Sequence, residues 1–554
     1  MENTYSVKNF KIFGNSGATV NFAPITFITG ENSSGKSSIV KSLVLFEEYI
    51  RNCVNSHRKA GDFTPFNHFL NFSDASLKLG RYSTCYSNSS AKDDGMEFSY
   101  KVFSHILNQE VTVNYIFKYF ENDDLDNGHL WSLSLKDANG KNIFEWRMDE
   151  EFWDYELVDI SLAQFATSEK FWKLGLFNNL KDIKKDDVSL AFNLLADFDS
   201  EEERQVLSNF IKGFKSCEPI DDFSFFCGCW LLAQEFQNVG SPLAPEEDLL
   251  NGIKQGLNPL FNSGLTKSSI LLKHLNALSM KLNNGAAICL DGLFEDLIKP
   301  FILEVISPEF VGNISYVGTS KVELKRLYTI GDNTDQMGKL IEEYLSLKKK
   351  WNYSAAAARH GHYPGDFIDK WIKRFNIGEK FELEYSDNGQ GVTMYIDGRV
   401  VADLGYGITQ LLTIMLNIEK AILTIKSKSY DYETEVMKVE FAPQTLIIEE
   451  PEVHLHPCYQ SILADMFYNA TCLFDIHFII ETHSEYLIRR SQVIVAKRDF
   501  SSNEQAEKEC KFRTIYVPKN DVPYSLGYRK DGKFVEDFGP GFFDESAQLM
   551  FEIL

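Results

Sequence analysis

Apolar and polar positions follow two different periods along this 554-residue chain. In the first quarter, apolar residues recur at every second position in short runs, which is the period of strands with one buried face. Tyr5–Phe13 and Ala18–Phe22 predict a hairpin, and the runs between residues 97 and 146 predict an antiparallel sheet. From about residue 150 to 299 the spacing becomes three to four, which predicts a helical insertion without sustained heptads.

Strand patterns return after residue 310. Ile314–Val317 predicts a strand, and two helices and a hairpin are expected before residue 400. Leu446–Ile448 is a continuous apolar run, which is typical of a central strand in a covered parallel sheet. The chain is therefore expected to have an α/β fold with a mixed sheet and an antiparallel subdomain.

A glycine- and serine-rich loop lies between an apolar run and a helical pattern. The segment from Ile25 to Leu45 contains GENSSGKS, which fits the phosphate-binding loop G-x-x-x-x-G-K-[ST] in its strand–loop–helix context. In such a loop, backbone amides and the helix N-terminus bind phosphate, Lys36 contacts the outer phosphates and Ser37 ligates Mg²⁺. The sequence therefore predicts a site for ATP and Mg²⁺. The predicted nucleotide-binding residues are Gly30, Glu31, Asn32, Ser33, Ser34, Gly35, Lys36, Ser37 and Ser38.

Two carboxylates follow the apolar run at 446–448. Ligands bind at the carboxyl ends of parallel strands, so Glu449 is expected to hold the Mg²⁺ shell, directly or through water. Glu450 is expected to orient and deprotonate the attacking water. The alternative is an ordinary acidic loop after a buried strand, and the phosphate loop in the same chain argues against it.

Three histidines near this run have open roles. His454 and His456 invite a metal interpretation, but their spacing is short and Pro457 suits the start of a helix. His483 follows another apolar strand, where an imidazole could sense a terminal phosphate or could cap the helix that follows. Spacing alone leaves these two roles of His483 open.

Composition limits the classes of function. The net charge is −23 and the pI about 5.0, which argues against charge-driven coating of nucleic acid, although a local basic patch at Lys321, Lys325 and Arg326 leaves nucleic acid possible. Nine scattered cysteines include no CxxC pair, and Cys227 with Cys229 fits two core thiols better than a metal site. The chain shows no secretory signal and no apolar run of membrane-spanning length, so a cytoplasmic protein without membrane contact is expected.

Four motifs, in this order, carry a resemblance to a known family: GENSSGKSS, LGYGITQLL, LIIEEPEVHLHP and ETHSEYLI. The chain resembles ABC-type ATPases of the OLD/RecF/SMC-like class, and in particular the anti-phage ATPases of bacterial Septu and PARIS systems. The resemblance implies an ABC head formed by residues 1–150 and 311–500. It also implies a helical insertion at 151–310 and a small C-terminal extension at 501–554.

The resemblance also implies roles for individual residues. Glu449 and Glu450 become the Walker B pair, residues 452–456 the D-loop region, and His483 the switch histidine. A signature loop would contact the triphosphate of a partner protomer through Gly405, Gly407, Thr409 and Gln410. This loop lacks the usual Ser-Gly-Gly sequence, so Thr409 and the Gly407 amide remain alternatives for the contact with the partner's phosphate. No Q-loop glutamine is evident between Arg51 and Tyr100, which leaves one ligand of Mg²⁺ or water unassigned.

In such heads the phosphate loop and the signature of one protomer cannot reach the same ATP, so a homodimer or higher oligomer around ATP is expected. One interpretation is a sensor and scaffold that controls an effector nuclease encoded nearby. A second is a RecF-like repair ATPase that binds DNA, and a third is an assembly protein with a structural ATP site. Glu450 argues against the third, because an inactive site needs no base.

Overall fold

The computed structural model of the chain describes residues 3–60, 68–160, 305 and 314–553, apart from short internal gaps. The gaps are 74–76, 89, 91–93, 106, 120–126, 149–154, 319–324, 333–334, 353–362, 387–388, 432–435, 442–443, 520 and 540–542. Most of the predicted helical insertion lies outside the described residues, and so do Cys227, Cys229 and Lys321.

The chain divides into two compact units, the first comprising Met1–Tyr49, Asn71–Asp94 and Glu309–Leu554. This unit contains a six-stranded sheet whose first five strands are parallel and whose last strand is antiparallel. In spatial order the strands are β10 (Ile314–Val317), β17 (Gln444–Glu449), β18 (Ile476–Glu481), β3 (Ile25–Gly30), β19 (Phe512–Val517) and β20 (Tyr524–Leu526).

The central strands of this sheet are buried on both faces. All six residues of β3 are buried, as are the last five of β17. A strand covered on both faces needs apolar residues at consecutive positions, which is why the run Leu446–Ile448 signals it. The predicted strands at Ile314–Val317 and Leu446–Ile448 are confirmed. Strand β19 pairs with β3, so the predicted boundary at residue 500 does not coincide with an edge of this sheet.

Helices cover the sheet and supply most of the core. Helix α5 (Tyr406–Leu423) has buried residues on all sides, as expected of a helix inside a large core. Among the helices that the structure describes, none combines the length and apolar character needed to cross a bilayer. The helices are α1 (Lys36–Ala60), α2 (Tyr82–Cys85), α3 (Gln336–Asn352), α4 (Asp366–Arg374), α5 (Tyr406–Leu423), α6 (Pro457–Phe474), α7 (Glu485–Ala496), α8 (Asn503–Glu509) and α9 (Glu545–Ile553), with a 3₁₀ turn at Val401–Asp403.

Smaller antiparallel sheets complete the first unit. The predicted N-terminal hairpin is confirmed, with its first strand ending at Lys8 rather than Phe13. The predicted hairpin before residue 400 is confirmed as well. The strands are β1 (Asn3–Lys8), β2 (Ala18–Phe22), β11 (Tyr328–Thr329), β12 (Phe381–Tyr385), β13 (Gly391–Ile396), β14 (Arg399–Val400), β15 (Ile425–Asp431) and β16 (Val436–Phe441).

The second unit comprises Ile50–Leu70 and Gly95–Pro308. Its described part is an antiparallel meander, which confirms the sheet predicted for this region. The last strand, with the sequence YELVDI, lies beyond the predicted boundary at residue 150 and continues the antiparallel pairing. The strands are β4 (Phe69–Leu70), β5 (Met96–Ser104), β6 (Gln109–Lys118), β7 (Gly128–Lys136), β8 (Asn142–Met148) and β9 (Tyr155–Ile160).

A buried tyrosine ties the end of the chain to the central sheet of the first unit. The hydroxyl of Tyr528 lies 2.8 Å from Ser491 Oγ and 2.9 Å from Thr514 Oγ1. We expect Tyr528→Phe to lower the free energy of unfolding by about 1–3 kcal/mol, because the buried hydroxyls of Ser491 and Thr514 each lose a hydrogen-bond partner. Urea unfolding measures this, with Tyr385→Phe as a control on an exposed tyrosine. Equal stability of both variants would contradict the prediction.

Candidate nucleotide-binding site

The phosphate loop begins where β3 ends. Gly30 has φ +143°, and a Cβ at this position would lie 2.1 Å from the Val517 carbonyl oxygen, so a side chain cannot fit against β19. Ser33 also has a positive φ, of 61°. Helix α1 begins at once after the loop, with the amides of Ser38 and Ile39 donating to the carbonyl of Gly35. The loop therefore lies at the N-terminus of a long helix, the position at which proteins bind phosphate.

Lys36 folds over this loop. Its Nζ donates to the carbonyl oxygens of Gly30, at 3.1 Å, and Glu31, at 2.5 Å. Burial lowers the pKa of Lys36, and the carboxylates of Glu481, Glu450 and Glu31 oppose that effect. The ammonium group is thus held at the mouth of the loop within electrostatic reach of the carboxylates at the ends of β17 and β18.

Three carboxylates meet at the carboxyl ends of β17 and β18. Glu449 and Glu481 are register partners on these neighbouring parallel strands. Glu450 follows with φ +43°, and its amide donates to the Glu481 carbonyl oxygen at 2.7 Å. A left-handed conformation at a residue other than glycine costs free energy and is typical of functional sites. The strand ends thus bring the predicted Glu449 and Glu450 together with a carboxylate that sequence reasoning missed.

Glu481 is that missed residue, and it contacts the phosphate loop directly. The Ser37 hydroxyl donates to Glu481 Oε1 at 2.6 Å. Glu481 is 4% exposed, and among the described residues its Oε2 has no hydrogen-bond partner. Burial raises the pKa of Glu481 to about 7, against the hydrogen bond from Ser37. The sequence FIIE before Thr482 repeats the pattern LIIE at Glu449, and this repeat was the available signal.

Lys11 is a second residue that sequence reasoning missed. It lies in the turn after β1, with φ +53° and its amide donating to the Cys85 carbonyl oxygen at 2.6 Å. Burial lowers the pKa of Lys11, and the charge of Glu449 is among the influences that raise it. Lys11 is therefore a second lysine that interacts electrostatically with Glu449. It lies outside the phosphate-loop motif, so the motif could not reveal it.

His483 lies close to the phosphate-loop lysine. Burial, and then the charge of Lys36, lower the pKa of His483, so the imidazole is neutral near pH 7. Its backbone amide donates to Glu452 Oε1 at 2.6 Å. The helix that follows is capped by Ser484, whose hydroxyl accepts from the Leu487 amide. The capping role is therefore filled by Ser484, and the imidazole of His483 lies within electrostatic reach of Lys36.

The predicted signature loop forms the start of α5. Gly405 precedes the helix with φ +96°, and a Cβ on Gly407 would lie 2.7 Å from the His454 carbonyl oxygen. Tyr406 is 53% exposed between them. Thr409 is fully buried, with its hydroxyl donating to the Gly405 carbonyl at 3.4 Å, and Gln410 is half-buried. Of the two alternatives for a contact with a partner protomer, this geometry leaves the amide end of the helix more accessible than Thr409.

The other histidines and basic residues that the sequence analysis singled out have structural contacts. His456 Nδ1 accepts from the Cys458 amide at 3.3 Å and caps α6, and His454 contacts the ring of Tyr406. Lys325 pairs with Asp335 at 3.4 Å, and Arg326 pairs with Asp403 at 2.6 Å. Two of the three cations in the predicted basic patch thus lie against carboxylates.

The residues at the loop fit a magnesium ion that is bound together with phosphate. Within the part of the chain that the structure describes, no three His, Cys, Asp or Glu side chains form a metal cluster by themselves. Mg²⁺ is usually held by one or two carboxylates together with substrate phosphates and waters. Ser37, Glu449 and the orphaned oxygen of Glu481 supply oxygen donors of this kind beside a phosphate loop.

The buried Glu481 predicts a specific dependence of stability on pH. Its pKa is higher in the folded protein, at about 7, than the usual 4.5, so the folded state binds more protons between these values. The free energy of unfolding therefore falls as the pH rises through this window, by about 3 kcal/mol in full. Glutamine does not titrate, so Glu481→Gln should not lose stability in this window. We expect the free energy of unfolding of the variant, relative to that of wild type, to be about 2 kcal/mol higher at pH 8 than at pH 5.

Urea unfolding at the two pH values measures this difference. Glu485→Gln is the matched control, because Glu485 is half-buried in the first turn of α7, in an i,i+4 pair with Arg489. The control should show the same difference from wild type at both pH values. A pH-independent effect of Glu481→Gln would contradict the prediction.

Comparison with protein families identifies an ATPase-type domain within this chain. Residues 331–488 match the AAA ATPase domain family. No curated protein matches the chain. Among solved structures, the chain is similar to the Smc head domain with an extended coiled coil bound to the C-terminal domain of ScpA from Pyrococcus furiosus, at 13% identity and a TM-score of 0.32 over 100% of this chain and 99% of that chain.

Two further solved structures are similar at the same level. One is the SmcHead bound to the C-winged helix domain of ScpA, at 13% identity and a TM-score of 0.33 over 95% of this chain and 97% of that chain. The other is the Smc head domain with a coiled coil and joint from Pyrococcus yayanosii, at 11% identity and a TM-score of 0.34 over 96% of this chain and 98% of that chain.

The parallel sheet and the loop geometry define a mixed α/β domain of the ATPase type, and the family match covers its carboxylates and His483. The phosphate loop lies outside the matched residues, and the pairing of β3 with β18 joins it to them.

Proposed function

We propose that this chain binds ATP with Mg²⁺ and hydrolyses it. One observation carries the proposal: Ser37 of the phosphate loop and Glu481, which are 444 positions apart, share a 2.6 Å hydrogen bond beside Glu449 and Glu450. A phosphate-binding helix end, a lysine and strand-end carboxylates at one point are the parts that hydrolysis of a terminal phosphate requires.

Each residue then has a defined task. The amides of residues 31–37 and the start of α1 bind the phosphates, and Lys36 neutralises charge on the outer oxygens. Ser37 and Glu449 would hold Mg²⁺, which when bound neutralises the charge that develops on the phosphate oxygens. Glu450 orients a water and takes its proton, and His483 donates a hydrogen bond to the terminal phosphate.

We further propose that two protomers enclose two ATP molecules. Support comes from the accessible amide end of α5, where Gly405 has no neighbour within 4 Å on its Cβ side and Tyr406 is exposed. A helix N-terminus attracts phosphate, so this end suits the triphosphate of a second subunit. Loss of the terminal phosphate by hydrolysis would then weaken the interface and release the two protomers.

The proposed cellular role is a sensor and scaffold that controls an effector nuclease in anti-phage defence. The four motifs and their order support it through the resemblance to the Septu and PARIS ATPases. Among the described residues, the cluster Lys348–Lys350 at the end of α3 favours the alternative, a RecF-like DNA-repair ATPase. The ion pairs of Lys325 and Arg326 weigh against a DNA surface at the other basic patch.

Phosphate release tests the proposed reaction. Purified protein with ATP and Mg²⁺ is expected to release phosphate, and light scattering should show dimers or larger assemblies that depend on ATP. Absence of both would refute the proposed function. Salt-dependent binding to DNA would favour the repair role, and a nuclease that co-purifies from the native operon would favour the defence role.

A further inference from the structure

We propose that Glu481 supplies the second carboxylate of the magnesium site, and that it holds the ion together with Ser37 and Glu449. This inference rests on the proposed function and adds a residue to it. No phosphate-loop or strand-end motif assigns Glu481 a role, and the segment between Arg51 and Tyr100 offers no evident glutamine for the ligand that is left unassigned.

The strand register places Glu481 where a ligand is needed. Glu449 and Glu481 are directly opposite each other on β17 and β18, so their side chains point to the same face of the sheet. The hydrogen bond from Ser37 shows that this face is the one with the phosphate loop. Two carboxylates and one hydroxyl thus meet at the point where the phosphates would end.

The hydrogen bond with Ser37 alone does not explain why a carboxylate is buried at this position. Glu481 is 4% exposed and its Oε2 has no hydrogen-bond partner among the described residues. A buried carboxylate without a paired cation is costly, whereas a neutral amide could accept the Ser37 proton at lower cost. The charge of Lys36 acts on Glu481, but the Nζ of Lys36 donates to the carbonyls of Gly30 and Glu31. A divalent cation would satisfy the orphaned oxygen.

The hydrogen bond with Ser37 is compatible with a bound ion. The hydroxyl donates its proton to Glu481 Oε1 at 2.6 Å, which leaves its oxygen lone pairs for Mg²⁺. Partners that orient a ligand in this way typically change metal affinity 10- to 100-fold when they are removed. Glu481 thus both orients Ser37 and offers Oε2 to the ion or to a water of its shell.

The test uses the full-length chain and a fluorescent ATP analogue, titrated in EDTA and in Mg²⁺. In wild type, Mg²⁺ is expected to tighten binding of the analogue. In Glu481→Gln, which keeps an acceptor for Ser37, the Kd in EDTA should stay within about twofold of wild type, and the tightening by Mg²⁺ should fall about 10- to 100-fold. Binding of Mn²⁺ with the same analogue, followed by electron paramagnetic resonance, should weaken by the same factor.

A double-mutant cycle on nucleotide binding, run both in EDTA and with Mn²⁺, separates a shared ion from a local structural effect, because the hydrogen bond between Ser37 and Glu481 alone would couple the two residues equally in both conditions. Ser37→Ala and Glu481→Gln should each weaken Mn²⁺ binding, and the double variant should lose less than the product of the two factors, because both residues hold one ion. Glu485→Gln, in the first turn of α7 and paired with Arg489, should bind like wild type. If Glu481→Gln does not fold, Glu481→Asp serves instead, with Mn²⁺ binding weakened and nucleotide binding in EDTA kept.

The outcomes distinguish this inference from the proposed function. If wild type binds no ATP analogue in either condition, the proposed function fails. If wild type binds the analogue more tightly with Mg²⁺ and Glu481→Gln shows the same tightening, only the role of Glu481 is overturned.

Discussion

Replacement of Lys36 by alanine is expected to lower the rate of ATP hydrolysis by at least about 100-fold and to weaken ATP binding. The ammonium group is buried at the mouth of the phosphate loop, where it contacts the carbonyls of Gly30 and Glu31. A phosphate that enters the loop would replace these carbonyls as its partner. Removal of one group that stabilises transition-state charge typically costs about 3–4 kcal/mol, which corresponds to a 100- to 1,000-fold loss in rate.

Phosphate release and titration with a fluorescent ATP analogue measure the two effects. Lys508→Ala is the matched control, because Lys508 is exposed on α8. It should bind and hydrolyse ATP as wild type does. If Lys36→Ala keeps its rate, the loop is not the site of hydrolysis, and the proposed function loses its central residue.

The sequence predicts the loop and its strand because their signals are local. Gly30 ends a strand whose residues are all buried, and Lys36 and Ser37 follow it at fixed spacing. Burial on both faces requires the apolar run that the sequence shows. The carboxylates at Glu449 and Glu450 follow a second run of this kind. Each of these features can be recognised within about ten residues of sequence.

Contacts between distant residues are not recognisable in this way. The bond between Ser37 and Glu481 spans 444 positions, and it arises only because β18 lies beside β3 in the sheet. Lys11 reaches the field of Glu449 through a turn that no motif marks. For Thr409, the sequence gives a place in the signature loop but not the direction of the side chain, which the packing of α5 turns into the core.

Replacement of Glu450 by glutamine is expected to reduce ATP hydrolysis by about 100- to 10,000-fold while ATP binding is kept. A general base contributes a factor of this size, and the amide has the same shape but cannot take a proton from water. The backbone supports the role, because φ of +43° and the hydrogen bond of the Glu450 amide to the Glu481 carbonyl fix the residue directly after β17. The side chain also acts electrostatically on Lys36, so the base and the phosphate-binding lysine share one site.

The same variant should accumulate in an ATP-bound assembly. If the terminal phosphate joins two protomers, a protein that binds ATP but cannot cleave it stays associated, and light scattering in ATP and Mg²⁺ should show dimers or larger species that persist. The double variant Lys36→Ala, Glu450→Gln is the control, and it should remain dissociated because it binds ATP weakly. Normal turnover by Glu450→Gln would remove Glu450 from the mechanism. Lost turnover without any assembly would leave the base in place and refute the proposal that ATP joins two subunits, because that proposal requires the uncleaved phosphate to hold them together.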